Sequence, residues 1–219
     1  MRYNVKNHEI YSEHAAKPVK QASKYVESLL DELGPFNHAI DYGCGKLRYA
    51  STLYHLCDRL TVTDSTQQLE RVQTVIDEKS TVREYVKQRW FNTRALDLDQ
   101  IQTDHETYDF ALCANVLSAI PHPQTRIDAL RTISRKLASS GRALILTQYT
   151  NSYFCNQLRN PDVIRYRDGF LLGTKSRASF YGLINLQKLE KYIVSAGMSS
   201  IRSWRHDQSA LVLASKTGT

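Results

Sequence analysis

Ala39-Ile40-Asp41-Tyr42-Gly43-Cys44-Gly45, followed by Leu60-Thr61-Val62-Thr63-Asp64, is the stretch that decides the fold. An apolar run ending in an acid and two alternating glycines reads as a buried strand entering a tight turn. The second run reads as a strand that also ends in an acid. Between them, residues 48–57 are long enough for a crossover helix. Strand, glycine turn, helix and strand form the layout of a nucleoside-cofactor site in an open α/β sheet. The glycines let backbone approach a ligand closely, and the acid after the second strand is placed to grip ribose hydroxyls.

Upstream, Val19, Ala22, Val26, Leu29, Leu30 and Leu33 recur at helical spacing, and Gly34-Pro35 stops the pattern, which predicts an amphipathic leader helix over residues 17–33. Downstream, Leu69, Val72, Val75 and Ile76 predict a second helix over residues 65–78. Residues 80–92 show no clear period and read as helix or loop before a short strand at 93–98. Tyr108-Asp109-Phe110-Ala111-Leu112-Cys113-Ala114 is the near-continuous apolar run of a central parallel strand covered on both faces. A strong helix follows over 124–137, then a strand over 143–148. A helix capped at Asn185 and two strands near residues 201–204 and 210–214 close the chain. The predicted class is an α/β, Rossmann-like three-layer sandwich, with a mostly parallel seven-stranded sheet and an antiparallel C-terminal hairpin.

The 219 residues and a hydrophobic fraction of 42% suit one domain with a sizeable core. Within it, residues 1–34 are expected to form an N-terminal lid and leader helix. Residues 149–182 break the regular pattern with an aromatic and basic insert on the substrate side, because open sheets bind ligands beyond their strands' carboxyl ends. No apolar run reaches the roughly 20 residues that span a bilayer, and the N-terminus is polar, so a soluble cytoplasmic chain with no membrane partner is expected. Cys44, Cys57, Cys113 and Cys155 form no CxxC pair and read as reduced thiols. The formal charge of +7, from 29 basic and 22 acidic residues, permits an anionic partner without requiring one.

The ordered motifs resemble the class I S-adenosylmethionine-dependent methyltransferases over nearly the whole chain, from residue 37 to residue 214. Asp41, Gly43 and Gly45 look like that family's first motif, whose glycine backbone meets the methionine part of the cofactor. Asp64 and Ser65 look like the end of its second strand, where an acid binds both ribose hydroxyls. Asp97 and Leu98 are similar to its third element, an acid beside the adenine edge, with Asp99 the alternative in a shifted register. The segment from Asp109 to Pro121 looks like its fourth strand and loop in the small-molecule type, which brings Asn115 beside the cofactor. The family's frequent third glycine is replaced by Leu47, followed by Arg48. Arg48 also argues against a nicotinamide site, which needs a small residue there for close helix packing.

The resemblance implies that the cofactor is S-adenosylmethionine and that few side chains do chemistry. A sulfonium methyl group is already activated, so the protein mainly aligns a nucleophile and excludes water. His122 is the best candidate for a base, with a solvent-exposed loop histidine as its plain alternative; Tyr149, after the next strand, either lines the pocket or packs at a strand end. Tyr11, His14, Tyr153, Arg165, Tyr166 and Tyr181 are candidate substrate-binding residues on the lid and insert. No His, Asp and Glu cluster has metal-ligand spacing. Methyl transfer to an oxygen, nitrogen or sulfur atom of a small molecule is the leading function. A nucleic-acid methyltransferase is the alternative suggested by Arg159, Arg165, Arg167, Lys175 and Arg177 among aromatics. A binding module without turnover is the third.

Overall fold

In the computed structural model, residues 2–150, 152–161 and 163–217 are described. In chain order the strands are β1 Arg2–Val5, β2 His8–Tyr11, β3 Phe36–Tyr42, β4 Cys57–Asp64, β5 Gln73–Val75, β6 Glu78–Ser80, β7 Thr93–Asp97, β8 Tyr108–Ala114, β9 Leu137–Gln148, β10 Ile164–Tyr166, β11 Gly169–Thr174, β12 Arg177–Gly182, β13 Met198–His206 and β14 Ser209–Lys216. The helices are α1 Lys24–Leu33, α2 Ala50–Leu56, α3 Thr66–Glu70, α4 Val82–Arg89, α5 Leu98–Thr103, α6 Val116–Ala119, α7 Pro123–Lys136, α8 Ser152–Arg159 and α9 Leu186–Ser195. Seven strands form one sheet in the order β13-β14-β9-β8-β3-β4-β7. The pairs β3–β4, β3–β8 and β4–β7 are parallel, and the C-terminal hairpin β13–β14 is antiparallel. This is the Rossmann-like α/β class expected from the alternating strands and helices.

The chain divides into two compact units: Met1–Ala15, Cys113–Arg135 and Arg142–Thr219 in the first, and Ala16–Leu112 with Lys136–Gly141 in the second. In the second unit, β3 is buried at six of its seven positions because it lies between β4 and β8. Asp109 ties the amino end of β3 to β8 by accepting from the backbone N–H of Asn37 (2.8 Å) and of His38 (2.9 Å). The leader is helical only from Lys24; Ser23 is its N-cap, and a 3-10 turn occupies Val19–Gln21. The helix expected over residues 65–78 ends at Glu70, and the antiparallel pair β5–β6 follows. The apolar residues past Glu70, Val72, Val75 and Ile76, are β-branched, and Ile76 takes a left-handed φ of 54° at the hairpin turn, which no helix accommodates. Val72 is consequently exposed while Val75 is buried. The aperiodic stretch before β7 is helix α4, set by a capping box in which Thr81 and Glu84 satisfy each other's backbone N–H groups.

In the first unit, the segments expected as a lid and an irregular insert hold the strands of one sheet, β1-β2-β12-β11-β10, with α8 preceding β10. Burial alternates along β12, where Ala178, Phe180 and Gly182 face inward, and the buried core of the sheet is Val5, Ile10, Leu171, Ala178 and Phe180. The β1–β2 hairpin joins through a parallel pairing of Ile10 with Ala178. Arg126 on α7 fastens this sheet. Its fully buried guanidinium donates from Nε to the Ile120 carbonyl (2.8 Å) and meets Asp168 in a two-point pair at 2.5 and 3.0 Å. The Tyr192 hydroxyl (3.1 Å) and Lys188 (2.7 Å from Asp168) complete the network. Gly182 is required beside it, since a Cβ there would fall 2.7 Å from the Arg126 guanidinium.

These cations hold the Asp168 carboxyl below its ordinary range against the opposing effect of burial. Removing one member leaves a buried charge unpaired, which costs several kcal/mol. Asp168→Asn is therefore expected to lower stability by about 3 kcal/mol in urea denaturation at pH 7. The wild-type protein loses the same contribution as pH falls below the ordinary carboxylate range.

Candidate functional site

The second unit brings three acids to one edge of the sheet. Asp41 is the penultimate residue of β3, Asp64 closes β4 and Asp97 closes β7, and Asp64 lies directly opposite Asp97 in the parallel ladder. Gly43 (φ 79°) and Gly45 (φ 57°) carry the turn out of β3 through the left-handed region. The N–H groups of Gly43 and Cys44 both donate to the Thr63 carbonyl, at 2.7 and 3.0 Å. Asp64 then clamps the turn: Oδ2 accepts from Gly45 N–H (3.0 Å) and Oδ1 from Ser65 N–H (2.7 Å). A Cβ at Gly45 would lie 3.3 Å from that of Ala16, so the turn has almost no room to spare.

The position where the motif departs from three glycines still has a glycine's conformation. Leu47 adopts φ 62° with its side chain fully buried, so packing of the leucine offsets a strained backbone. Gln68 was not anticipated. Ser65 caps α3 by accepting from Gln68 N–H (3.4 Å), but the Gln68 side chain, instead of turning back to Ser65, donates to the Gly45 carbonyl (2.6 Å). The Ser-x-x-Gln spacing signalled the cap; that the amide reaches a turn 23 residues earlier was not visible in spacing.

Burial pushes the Asp41 carboxyl up to about 7, with Arg48 opposing the rise and Asp64 adding to it. Burial also raises Asp64, while the Gly45 and Ser65 N–H donors pull it back. The Cys44 thiol, buried between these acids, is pushed well above its ordinary value and stays protonated. Asp97 caps α5, its Oδ1 accepting from Asp99 N–H (3.1 Å) and Gln100 N–H (2.9 Å), which leaves Oδ2 and the Leu98 N–H at the sheet edge. Such an edge accepts hydrogen bonds from hydroxyls and amino groups and favours a positive charge.

The first unit holds the remaining candidates. Asn115 caps α6 in a left-handed conformation (φ 63°); its N–H donates to the Leu146 carbonyl (2.8 Å), and its buried Oδ1 has no partner among the described residues. A strained residue with an unsatisfied buried acceptor is a feature of ligand sites. His122 is half-buried, edge-on to Tyr3 (5.8 Å between ring centroids) and Tyr166 (6.2 Å), so it belongs to an aromatic group and is not a bare loop histidine. Tyr11 and His14 stack on each other at 5.1 Å with Arg2 over Tyr11. Tyr153 packs on Phe154, which also contacts Tyr181, while Tyr149 is covered by Arg205. Arg165 is exposed and donates to the Leu158 carbonyl. Among the described residues, no group of three or more His, Cys, Asp or Glu is arranged to hold a metal ion, and no helix is long and apolar enough to cross a membrane.

A family model described as a methyltransferase domain matches residues 40–145. The chain is 33% identical to the uncharacterized protein YmfD of Escherichia coli (strain K12) over 212 residues, covering 97% of this chain and 95% of that one. Among solved structures it is similar to the PH0226 protein of Pyrococcus horikoshii OT3, at 14% identity and a TM-score of 0.67, covering 93% and 95% of the two chains. It is also similar to the 1,6-didemethyltoxoflavin-N1-methyltransferase of Burkholderia thailandensis, solved with 1,6-didemethyltoxoflavin and S-adenosylhomocysteine. There the identity is 18%, the TM-score 0.61, and the coverage 89% and 78%.

Ionising Asp41 inside the folded protein costs stability because the unfolded chain ionises at a lower pH. The folded state therefore binds the extra proton between about pH 4 and pH 7, and stability falls as pH rises through that window. Asp41→Asn is expected to stabilise the ligand-free protein at pH 8 by about 2 kcal/mol. In thermal unfolding followed by calorimetry, this gain should shrink as pH is lowered through the same window.

Proposed function

This chain belongs to the class I S-adenosylmethionine-dependent methyltransferases, and we propose that it methylates an oxygen, nitrogen or sulfur atom of a small-molecule acceptor by in-line displacement. The observation that carries the cofactor half is the row of Asp41, Asp64 and Asp97 at the ends of three adjacent parallel strands, beside a glycine turn clamped by Asp64. The residues present fit the cofactor's chemistry. Each oxygen of Asp64 keeps a lone pair beyond its backbone donor, enough to accept from both ribose hydroxyls. Asp41 offers a buried negative charge to the cofactor's ammonium, directly or through water. Asp97 accepts from the adenine amino group while Leu98 N–H donates to the ring. Gly43 and Gly45 leave the backbone open to the methionine part. Ser65 sets the turn after Asp64, and the unsatisfied Oδ1 of Asn115 is assigned to the amino-acid end.

When bound, the cofactor supplies a methyl group on a positively charged sulfur, an electrophile that needs no further activation. The protein's part is to hold, orient and exclude water. His122, with Tyr3 and Tyr166 against it, is assigned to take the proton from the acceptor's nucleophile, and Tyr149 to the pocket wall. Tyr11, His14, Tyr153, Arg165, Tyr166 and Tyr181 are assigned to acceptor binding. The support for a small acceptor is the small-molecule-type loop after β8 and the likeness to a methyltransferase of 1,6-didemethyltoxoflavin.

One observation favours a nucleic-acid acceptor as a second reading. The first unit carries 16 Lys and Arg against 7 Asp and Glu, net +9, whereas the second carries 13 against 15, net −2. A charge so divided attracts anions to the unit that bears the insert.

Calorimetric titration with S-adenosylmethionine tests the cofactor half. Asp64→Ala is expected to weaken binding about 10- to 100-fold, since hydrogen bonds to a charged group are lost. Wild-type affinity should rise as pH increases through about 7, because a cationic ligand favours the ionised form of Asp41 and displaces its proton. Absence of binding by folded protein would sink the proposal. A single-stranded RNA probe in the same experiments separates the acceptor readings: salt-sensitive binding supports the second, and none removes it.

A further inference from the structure

We infer that Arg83, on helix α4, is a positioning residue for the adenine end of the cofactor, holding the Asp97–Leu98 corner that reads the base. This rests on the assignment of Asp97 to adenine. Arg83 lies in the first turn of α4, between the two members of the capping box, and its guanidinium is shared among four groups. Nε donates to Glu70 Oε1 at 2.5 Å, at the end of α3. Nη1 donates to the Ala95 carbonyl of β7 at 2.6 Å and reaches Gln100 Oε1 at 3.5 Å. Nη2 stands 3.7 Å from Asp97 Oδ2. One planar fork thus fastens α3, β7 and the first turn of α5 to α4, a use to which a lysine's single ammonium is unsuited.

The division of labour at Asp97 gives this network its consequence. Oδ1 is already occupied by the N–H groups of Asp99 and Gln100. Gln100 returns its own amide oxygen to the Asp97 N–H (2.9 Å), the same oxygen that Arg83 approaches. Oδ2 is the oxygen left for a ligand, and it is the one facing Arg83. The Asp97 side chain is only 15% exposed, so its orientation decides what it can accept from. A carboxylate oxygen fixed at that spot accepts from the amino group of adenine and opposes the carbonyl oxygen of hypoxanthine. Arg83 touches neither the base nor the reacting atoms; it acts through Asp97 and through β7.

Affinities of S-adenosylhomocysteine and S-inosylhomocysteine, which differ at the amino group, measured by calorimetry on the full chain, test the inference. Wild-type protein is expected to prefer the adenine ligand at least tenfold. Arg83→Met should reduce that preference about tenfold, and Arg83→Lys should fall between the two. Melting curves establish that each variant is folded, and the lysine variant serves if the methionine variant is not. A folded variant that binds both ligands more weakly with the preference intact assigns Arg83 to stability alone and overturns the inference. Asp97→Ala separates the two levels: if it abolishes the preference while both Arg83 variants keep it, adenine reading by Asp97 stands and the role of Arg83 falls. If Asp97→Ala keeps the preference, the assignment of Asp97 fails, and the inference with it.

Discussion

The bond from Gly45 N–H to the Asp64 carboxylate is the constraint on which the second unit's site depends. A glycine turn leaving a buried strand has backbone N–H groups with no helical or ladder partner, and buried donors of that kind must be satisfied. Here Thr63 supplies a carbonyl to two of them and Asp64 a carboxylate to the third, so the end of β4 fixes the loop that leaves β3. Gln68 holds the other face of Gly45 through its carbonyl. The turn is consequently rigid before any ligand arrives, and rigidity of this kind reduces the entropy that binding must overcome. Leu47 fits the same logic, because a strained left-handed leucine persists only where its surroundings over-determine it.

Rigidity is obtained at an electrostatic cost. Two carboxyl groups, Asp41 and Asp64, sit near neighbouring strand ends where burial disfavours their charge, and Asp64 further raises the proton affinity of Asp41. A core built for stability alone would hold neutral side chains there. The arrangement makes sense for a site awaiting a ligand with donor groups and positive charge, which lets the acids ionise. Stability and binding therefore pull in opposite directions at Asp41, whereas the Arg126–Asp168 pair in the first unit is internally neutralised and has no such conflict.

The parts legible in the sequence were those governed by local pattern. The run Tyr108–Ala114 is the strand its continuous apolarity implied, and the glycine turn, the acids at 41, 64 and 97 and the helix after Pro121 all stand where spacing put them. What spacing could not reveal was decided by distant partners. Residues 65–78 have a helical period in Leu69, Val72, Val75 and Ile76, yet the β-branched side chains after Glu70 and the turn at Ile76 favour a hairpin. Residues 149–182 look irregular because β10 to β12 are short and join a hairpin through a pairing of Ala178 with Ile10, 168 positions earlier, for which local sequence holds no signal. Arg83 and Arg126 belong to no motif that marks them in the sequence, yet both are inside networks.

That sheet changes what the insert means. A loop rich in arginine and tyrosine suggests a surface that orders around whatever it binds. Five hydrogen-bonded strands, fastened by a buried guanidinium and with Phe180 at their core, hold His122, Tyr3 and Tyr166 in one aromatic group instead. On the proposed reading, acceptor choice depends on the fixed shape of this group more than on chain flexibility. Of the basic residues of the same segment, Arg165 and Arg177 lie outside that aromatic group and are exposed, whereas Arg167 packs on Tyr166 and donates to its hydroxyl (3.0 Å). Apart from Arg167, shape and charge are thus carried by different residues of the first unit. An acceptor recognised by its ring system and one recognised by its phosphates would engage different side chains, so substitutions in the two sets separate the readings even where both ligands are anionic.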